Sequence, residues 1–134
     1  MVANGTHSLT AVARDAAGNI ATSAPVSVTV ANGDTIPPTV AITAPVDGAN
    51  VAGFTIVSVQ AADNVGVSNV QIYGDSALIG TVACDAGLSC SGSVRWNITG
   101  PAGVAHSGVV HSIYAVATDT SGNSSSSMPI TVVK

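Results

Sequence analysis

Apolar residues recur at every second position through most of the chain. Near the N-terminus Leu9, Ala11 and Ala13 alternate with Thr10, Val12 and Arg14. Beyond Asp15-Ala16-Ala17-Gly18-Asn19, Val26, Val28 and Val30 alternate with Ser27 and Thr29. Period-two alternation on both sides of an Asp/Gly/Asn cluster predicts a β-hairpin over residues 4–31. The same signal predicts a strand over 39–44 with Val40 and Ile42 on one face, and another over 54–61. In that second strand Val57, Val59 and Ala61 form the inward set, which leaves Phe54 and Ile56 to pack at an edge or against the first hairpin. Further strands are predicted over 67–73, with Val70 and Ile72 inward, over 77–83, and over 93–98. In the last of these Val94, Trp96 and Ile98 share a face, so Trp96 reads as a core residue. A final hairpin occupies 109–134. After the first hairpin the count is seven strands with turn signals at short intervals, the pattern of an antiparallel all-β sandwich.

The two hairpins are copies of each other. At a constant offset (111 − 7 = 104), His7 falls on His111, Asp15 on Asp119, Gly18 on Gly122, Asn19 on Asn123 and Pro25 on Pro129. A self-match at fixed period marks a tandem array of one supersecondary unit. The expected organisation is therefore the closing hairpin of a preceding repeat at 1–31, a linker at 32–38, and one complete domain at 39–134. Pro37 and Pro38 cannot donate ladder bonds and hold the linker extended. A lone two-stranded hairpin is marginal in water. The first hairpin is expected to find cover on the edge of the complete domain, on another copy of the chain, or in the slot of its own duplicate. The last two routes lead to a homo-oligomer or a strand-exchanged dimer.

Composition narrows the partners. The 134 residues include three Lys and Arg against seven Asp, no Glu, and a formal charge of −4. Without a basic patch, nucleic acid is not an expected ligand. No apolar run has the length to insert across a membrane, and no export signal opens the chain. Met1 directly before a strand reads as a start placed on an excised piece, so a missing signal says nothing about the parent protein's destination. The spacing of Cys84 and Cys90 fits neither a two-residue redox motif nor a zinc knuckle. A disulfide closing a small hairpin loop is expected, and with it an oxidising, extracytoplasmic compartment. The competing reading is two free thiols.

Three blocks, NGTHSLTAVARDAAGN, DTIPPTVAITAPVDGANV and AADNVGVSNVQIY, resemble the bacterial immunoglobulin-like tandem repeats of secreted enzymes and surface adhesins. The resemblance implies an immunoglobulin-like sandwich preceded by an extra hairpin. It also implies a non-catalytic spacing or adhesive role beside neighbouring repeats, in a secreted or cell-surface protein. The sequence departs from the usual pattern at the cysteine loop and in ITGPAGVAHSGVVHS.

In such a sandwich the loops after the second and sixth strands share one end with the incoming linker. Asp34, Asp63, Asn64, Asp119 and Asn123 would then meet as hard oxygen ligands, and calcium is the candidate cofactor, locking repeats end to end. The competing reading is turn chemistry, since Asp-x-x-Gly-Asn is also what a tight turn needs. Asp15 and Asn19 repeat that pattern where no second ligand set exists. His7 and His111 are in phase with Leu9 and Ile113 and read as structural, hydrogen-bonded corner residues. No motif supplies His106 or His111 with a nucleophile, so no catalytic residue is assigned. Two alternatives to the spacer remain. One is a carbohydrate-binding accessory domain for a polysaccharide, with Tyr73 and Tyr114 as its only stacking residues. The other is a small glycoside hydrolase using Asp63 and Asp119.

Overall fold

The computed structural model of the chain describes residues 2–98 and 108–134. It divides into two compact units, Met1–Gly33 and Asp34–Lys134. In the first, β1 (Gly5–Leu9) pairs antiparallel with β4 (Val26–Val30), and β2 (Val12–Arg14) with β3 (Ile20–Thr22). Two-stranded ribbons expose both faces, and Leu9, Val12, Ile20 and Val26 are all exposed.

The second unit is built from β5 (Thr39–Ala44), β6 (Ala49–Asn50), β7 (Phe54–Ala62), β8 (Val67–Gly74), β9 (Ala77–Ala83), β10 (Ser89–Asn97), β11 (Val110–Asp119), β12 (Ser124–Ser126) and β13 (Ile130–Val133). Strands β10, β7 and β5 form one sheet in that order. The other runs β6, β13, β11, β8, β9, with β12 added to β11. All pairs are antiparallel except β13 with β6. This is the expected all-β sandwich. The two strands beyond the expected seven, β6 and β12, are only two and three residues long. Runs that short carry too little alternation to register as strands.

The core lies between the sheets. Val57, Val59 and Ala61 of β7 are buried, whereas Phe54 and Ile56 are exposed. The chosen phase is thus the observed one. Phe54 meets Arg95, whose guanidinium carbon sits 3.7 Å above the ring centroid. The opposite sheet contributes Val67, Val70, Ile72, Ile113, Ala115, Ala117 and Val132. Val67 and Val70 are three residues apart, and strict alternation would put them on opposite faces. The ladder slips between Thr118 and Asp119, where Asn69 pairs with Thr118 but Val67 with Asp119. This bulge absorbs Ser68, so both valines point inward. Trp96 is half-buried against the core and meets the edge of the His111 ring at 5.6 Å.

Cys84 and Cys90 form the expected disulfide, with Cα atoms 5.7 Å apart. The loop it closes differs from the expected hairpin. Strands β9 and β10 belong to different sheets, so the bond spans the crossover between layers.

Candidate metal centre

The chain reaches one rim of the second unit three times. Asp34 precedes the proline pair, Asp63 follows β7, and Asp119 ends β11. Asp119 continues the inward phase of Ile113, Ala115 and Ala117 and is 2% exposed, while Asp34 and Asp63 are half-buried. One carboxylate oxygen from each of the three lies within 4.8 Å of the others. Backbone bonds hold the rim together, with Asp63 N donating to Leu88 O at 2.9 Å and Thr120 N to Gly66 O at 2.9 Å.

Each carboxylate first serves its own turn. Asp34 Oδ1 accepts from Ile36 N at 3.1 Å and from the Asn64 side chain at 3.2 Å. Asp63 Oδ2 accepts from Val65 N at 2.7 Å and Gly66 N at 2.8 Å. Asp119 Oδ1 accepts from Ser121 N and Asn123 N, both at 2.8 Å, and its Oδ2 accepts from Asn123 Nδ2 at 2.7 Å. These are the side-chain bonds of Asx-type turns. The second oxygens are another matter. Asp34 Oδ2 and Asp63 Oδ1 are buried and accept no hydrogen bond. A buried oxygen anion without a donor is costly. Among the described residues no salt bridge involves Asp34, Asp63 or Asp119, so none neutralises this cluster.

Electrostatics favour the charged form at Asp119. Burial opposes ionisation, but donors from the Asn123 side chain and the backbone of Asn123, Ser121 and Gly122 outweigh it and hold the carboxyl below its usual value. Asn123 also donates from Nδ2 to the Asp34 carbonyl at 3.1 Å. Asn64 and Asn123 thus sit at the rim as expected, each donating its amide N–H to the aspartates.

The first hairpin supplies an internal comparison. Asn19 N donates to Asp15 Oδ1 at 2.8 Å and Asn19 Nδ2 to Asp15 Oδ2 at 2.6 Å. Gly18 and Gly122 occupy the same left-handed backbone, with φ of 94° and 93°. The turn therefore forms without further carboxylates. The convergence of Asp34 and Asp63 on Asp119 is additional to what the turn requires.

The remaining candidates separate. His7 Nε2 lies 2.8 Å from Ala3 O, and His111 Nδ1 lies 2.6 Å from Asp75 Oδ2. Asp75 lies in the Gly74-Asp75-Ser76 turn that the sequence predicts, and its contact with His111 has no signal there. It stands 36 positions away and also accepts from Ser112 N at 3.0 Å through Oδ1. His106 lies outside the described residues. Tyr73 and Tyr114 are cross-strand neighbours stacked on each other at 4.9 Å, so each ring already gives one face to the other. Paired glycosidase carboxylates flank an open cleft. Asp119 is closed to solvent.

A family model for the bacterial Ig domain matches residues 38–132. Among solved structures, the fibronectin(III)-like modules of Clostridium thermocellum CbhA align at 28% identity with a TM-score of 0.49. That alignment covers 98% of this chain and 62% of the other, so the chain spans less than two thirds of that structure's length. No curated protein matches.

Proposed function

Because this chain belongs to the bacterial Ig domain family, we propose that it is a non-catalytic structural module of a secreted or cell-surface protein, serving spacing and attachment. The Cys84–Cys90 disulfide supports an oxidising, extracytoplasmic setting. We further propose that its first hairpin binds a second copy of the chain.

One observation carries the second part: the first hairpin is a preformed copy of the closing hairpin with its apolar face bare. His7 pairs with Val28 and Leu9 with Val26, as His111 pairs with Val132 and Ile113 with Ile130. The Ser23 hydroxyl accepts from Ala11 N at 2.9 Å, as the Ser127 hydroxyl accepts from Ala115 N at 3.0 Å. Yet Leu9 is 56% exposed where Ile113 is fully buried. What faces Ile113, Ala115 and Val132 is the opposite sheet, with Val57, Val59 and Ala61 of β7. A second copy carries that same face, and its matching shape makes strand exchange the favoured form of association.

Sedimentation of the full chain across a wide concentration range tests this. Association that vanishes in Leu9→Asp/Val28→Asp, and on removal of residues 1–31, supports it. A full chain that stays monomeric at high concentration overturns self-association and leaves the spacing role standing.

A further inference from the structure

We infer that Asp75 is the docking point for the first hairpin of a second copy of the chain, gripping His7 and Ser8 there as it grips His111 and Ser112 in its own copy. The inference rests on the association proposed above and names the surface that receives the hairpin. Asp75 holds the closing hairpin at three points. Its Oδ2 lies 2.6 Å from His111 Nδ1, its Oδ1 accepts from Ser112 N at 3.0 Å, and its own N donates to Ser112 O at 2.9 Å. It does so from a left-handed two-residue turn between β8 and β9, with φ of 48° at Asp75 and 69° at Ser76. A pair such as Asn-Gly suits that turn better than Asp-Ser. What Asp75 adds is a carboxylate aimed at β11.

The first hairpin offers the same three groups. At the constant offset of the duplication, His7-Ser8 stands for His111-Ser112. Ser8 pairs with Ser27 as Ser112 pairs with Thr131, so the register is the same. The N–H and C=O of Ser8 therefore face away from β4, on the side where Asp75 meets those of Ser112. Among the described residues β1 pairs with β4 alone, and an open strand edge is a template for strand addition. His7 turns Nε2 to the Ala3 carbonyl, which leaves Nδ1 for a carboxylate. Asp75 is half-exposed, so an incoming His7 reaches it while the closing hairpin is still seated. Two hairpins cannot hold it at once. The incoming one takes its place beside β8 only as the resident one leaves, so loosening the resident hairpin raises the apparent affinity for the incoming one.

Sedimentation of the full chain and its variants, each checked for folding by circular dichroism, tests this. His7→Ala leaves the closing hairpin untouched. It should weaken association at least about tenfold, the loss expected for a hydrogen bond to a charged group. In an Asp75→Ala background the same change should shift the association constant by less than about twofold, because its partner is already gone. Asp75→Asn, which keeps the turn and an acceptor for the backbone but removes the charge, should likewise blunt the effect of His7→Ala. Ser127→Ala removes the bond from Ala115 N that seats the resident hairpin, and should tighten association by about tenfold. The inference fails, with self-association intact, if His7→Ala associates as wild type does, or loses as much in both Asp75 backgrounds. It fails equally if Ser127→Ala does not tighten the complex, the outcome expected of a hairpin that only lies along an outer edge. A wild-type chain that stays monomeric at high concentration overturns both this inference and the association it rests on.

Discussion

The side chain that Gly74 lacks is the space that Trp96 fills: a Cβ on Gly74 would lie 2.5 Å from the Trp96 ring. Gly74 ends β8 in one sheet and Trp96 projects from β10 in the other. Gly74→Ala should therefore force the indole off its rotamer and cost about 1–3 kcal/mol. Urea unfolding followed by circular dichroism measures this. In a Trp96→Leu background the same glycine change should cost clearly less, because the smaller side chain vacates the clash.

Ser127 is a buried hydroxyl with two bonds, accepting from Ala115 N and donating to Met128 O, both at 3.0 Å. Ser127→Ala leaves the Ala115 N–H without its partner beside the core, and should cost about 1–3 kcal/mol of the second unit's stability. Ser23→Ala removes the equivalent bond in the exposed first hairpin. It should leave the main unfolding transition, followed by Trp96 fluorescence, where it was.

The disulfide closes a segment with a sequence separation of six. Chain-entropy reasoning assigns a loop that short roughly 2 kcal/mol. Cys84→Ser/Cys90→Ser should lower the unfolding free energy measured in urea by that amount and leave the native circular dichroism unchanged. A variant that fails to fold would mean the bond does more than restrict the unfolded chain.

Acid should weaken the molecule through Asp47. Its carboxylate accepts from Thr131 N at 2.7 Å and from the Thr131 hydroxyl at 2.9 Å, tying the turn before β6 to β13. The backbone bond from Thr131, then the hydroxyl, hold its pKa below the usual carboxylate value against an opposing effect of burial. A folded pKa below the unfolded value of about 3.9 gives stability that is present above that pH. It is lost as pH falls through the folded value. Urea midpoints should be level from neutrality to about pH 5 and then fall. Asp47→Asn, which cannot titrate, should fall less steeply, and parallel curves for the two proteins would remove Asp47 from the explanation.

Much of this was legible in the order of residues, because half-buried strands advertise their phase. Val57, Val59 and Ala61 declared the inward face of β7, and the hairpin duplication declared which strands close the sandwich. Val67 resisted, since its burial depends on a bulge at Ser68 that period-two reasoning has no means to place. The crossover role of Cys84 and Cys90 resisted for a related reason: spacing shows that two sulfurs can meet and says nothing about which sheets they join. At the rim, loop order was enough to bring Asp34, Asp63 and Asp119 together. Which oxygen each turn consumes, and which it leaves stranded, is a matter of angles. The Asp75–His111 contact spans two strands and carries no local signature.

The incoming chain is fastened before its first sheet rung. The Asn123 side chain holds the Asp34 carbonyl, and the Ser125 hydroxyl holds the Pro38 carbonyl, upstream of the pairing of Thr39 with Ala62. Tension applied ahead of Asp34 is thus delivered to the β11–β12 turn before it can peel β5 away. Under load, Asn123 and Ser125 act as a strain relief for the strand behind them, and their removal would lower the force at which unzipping of β5 begins.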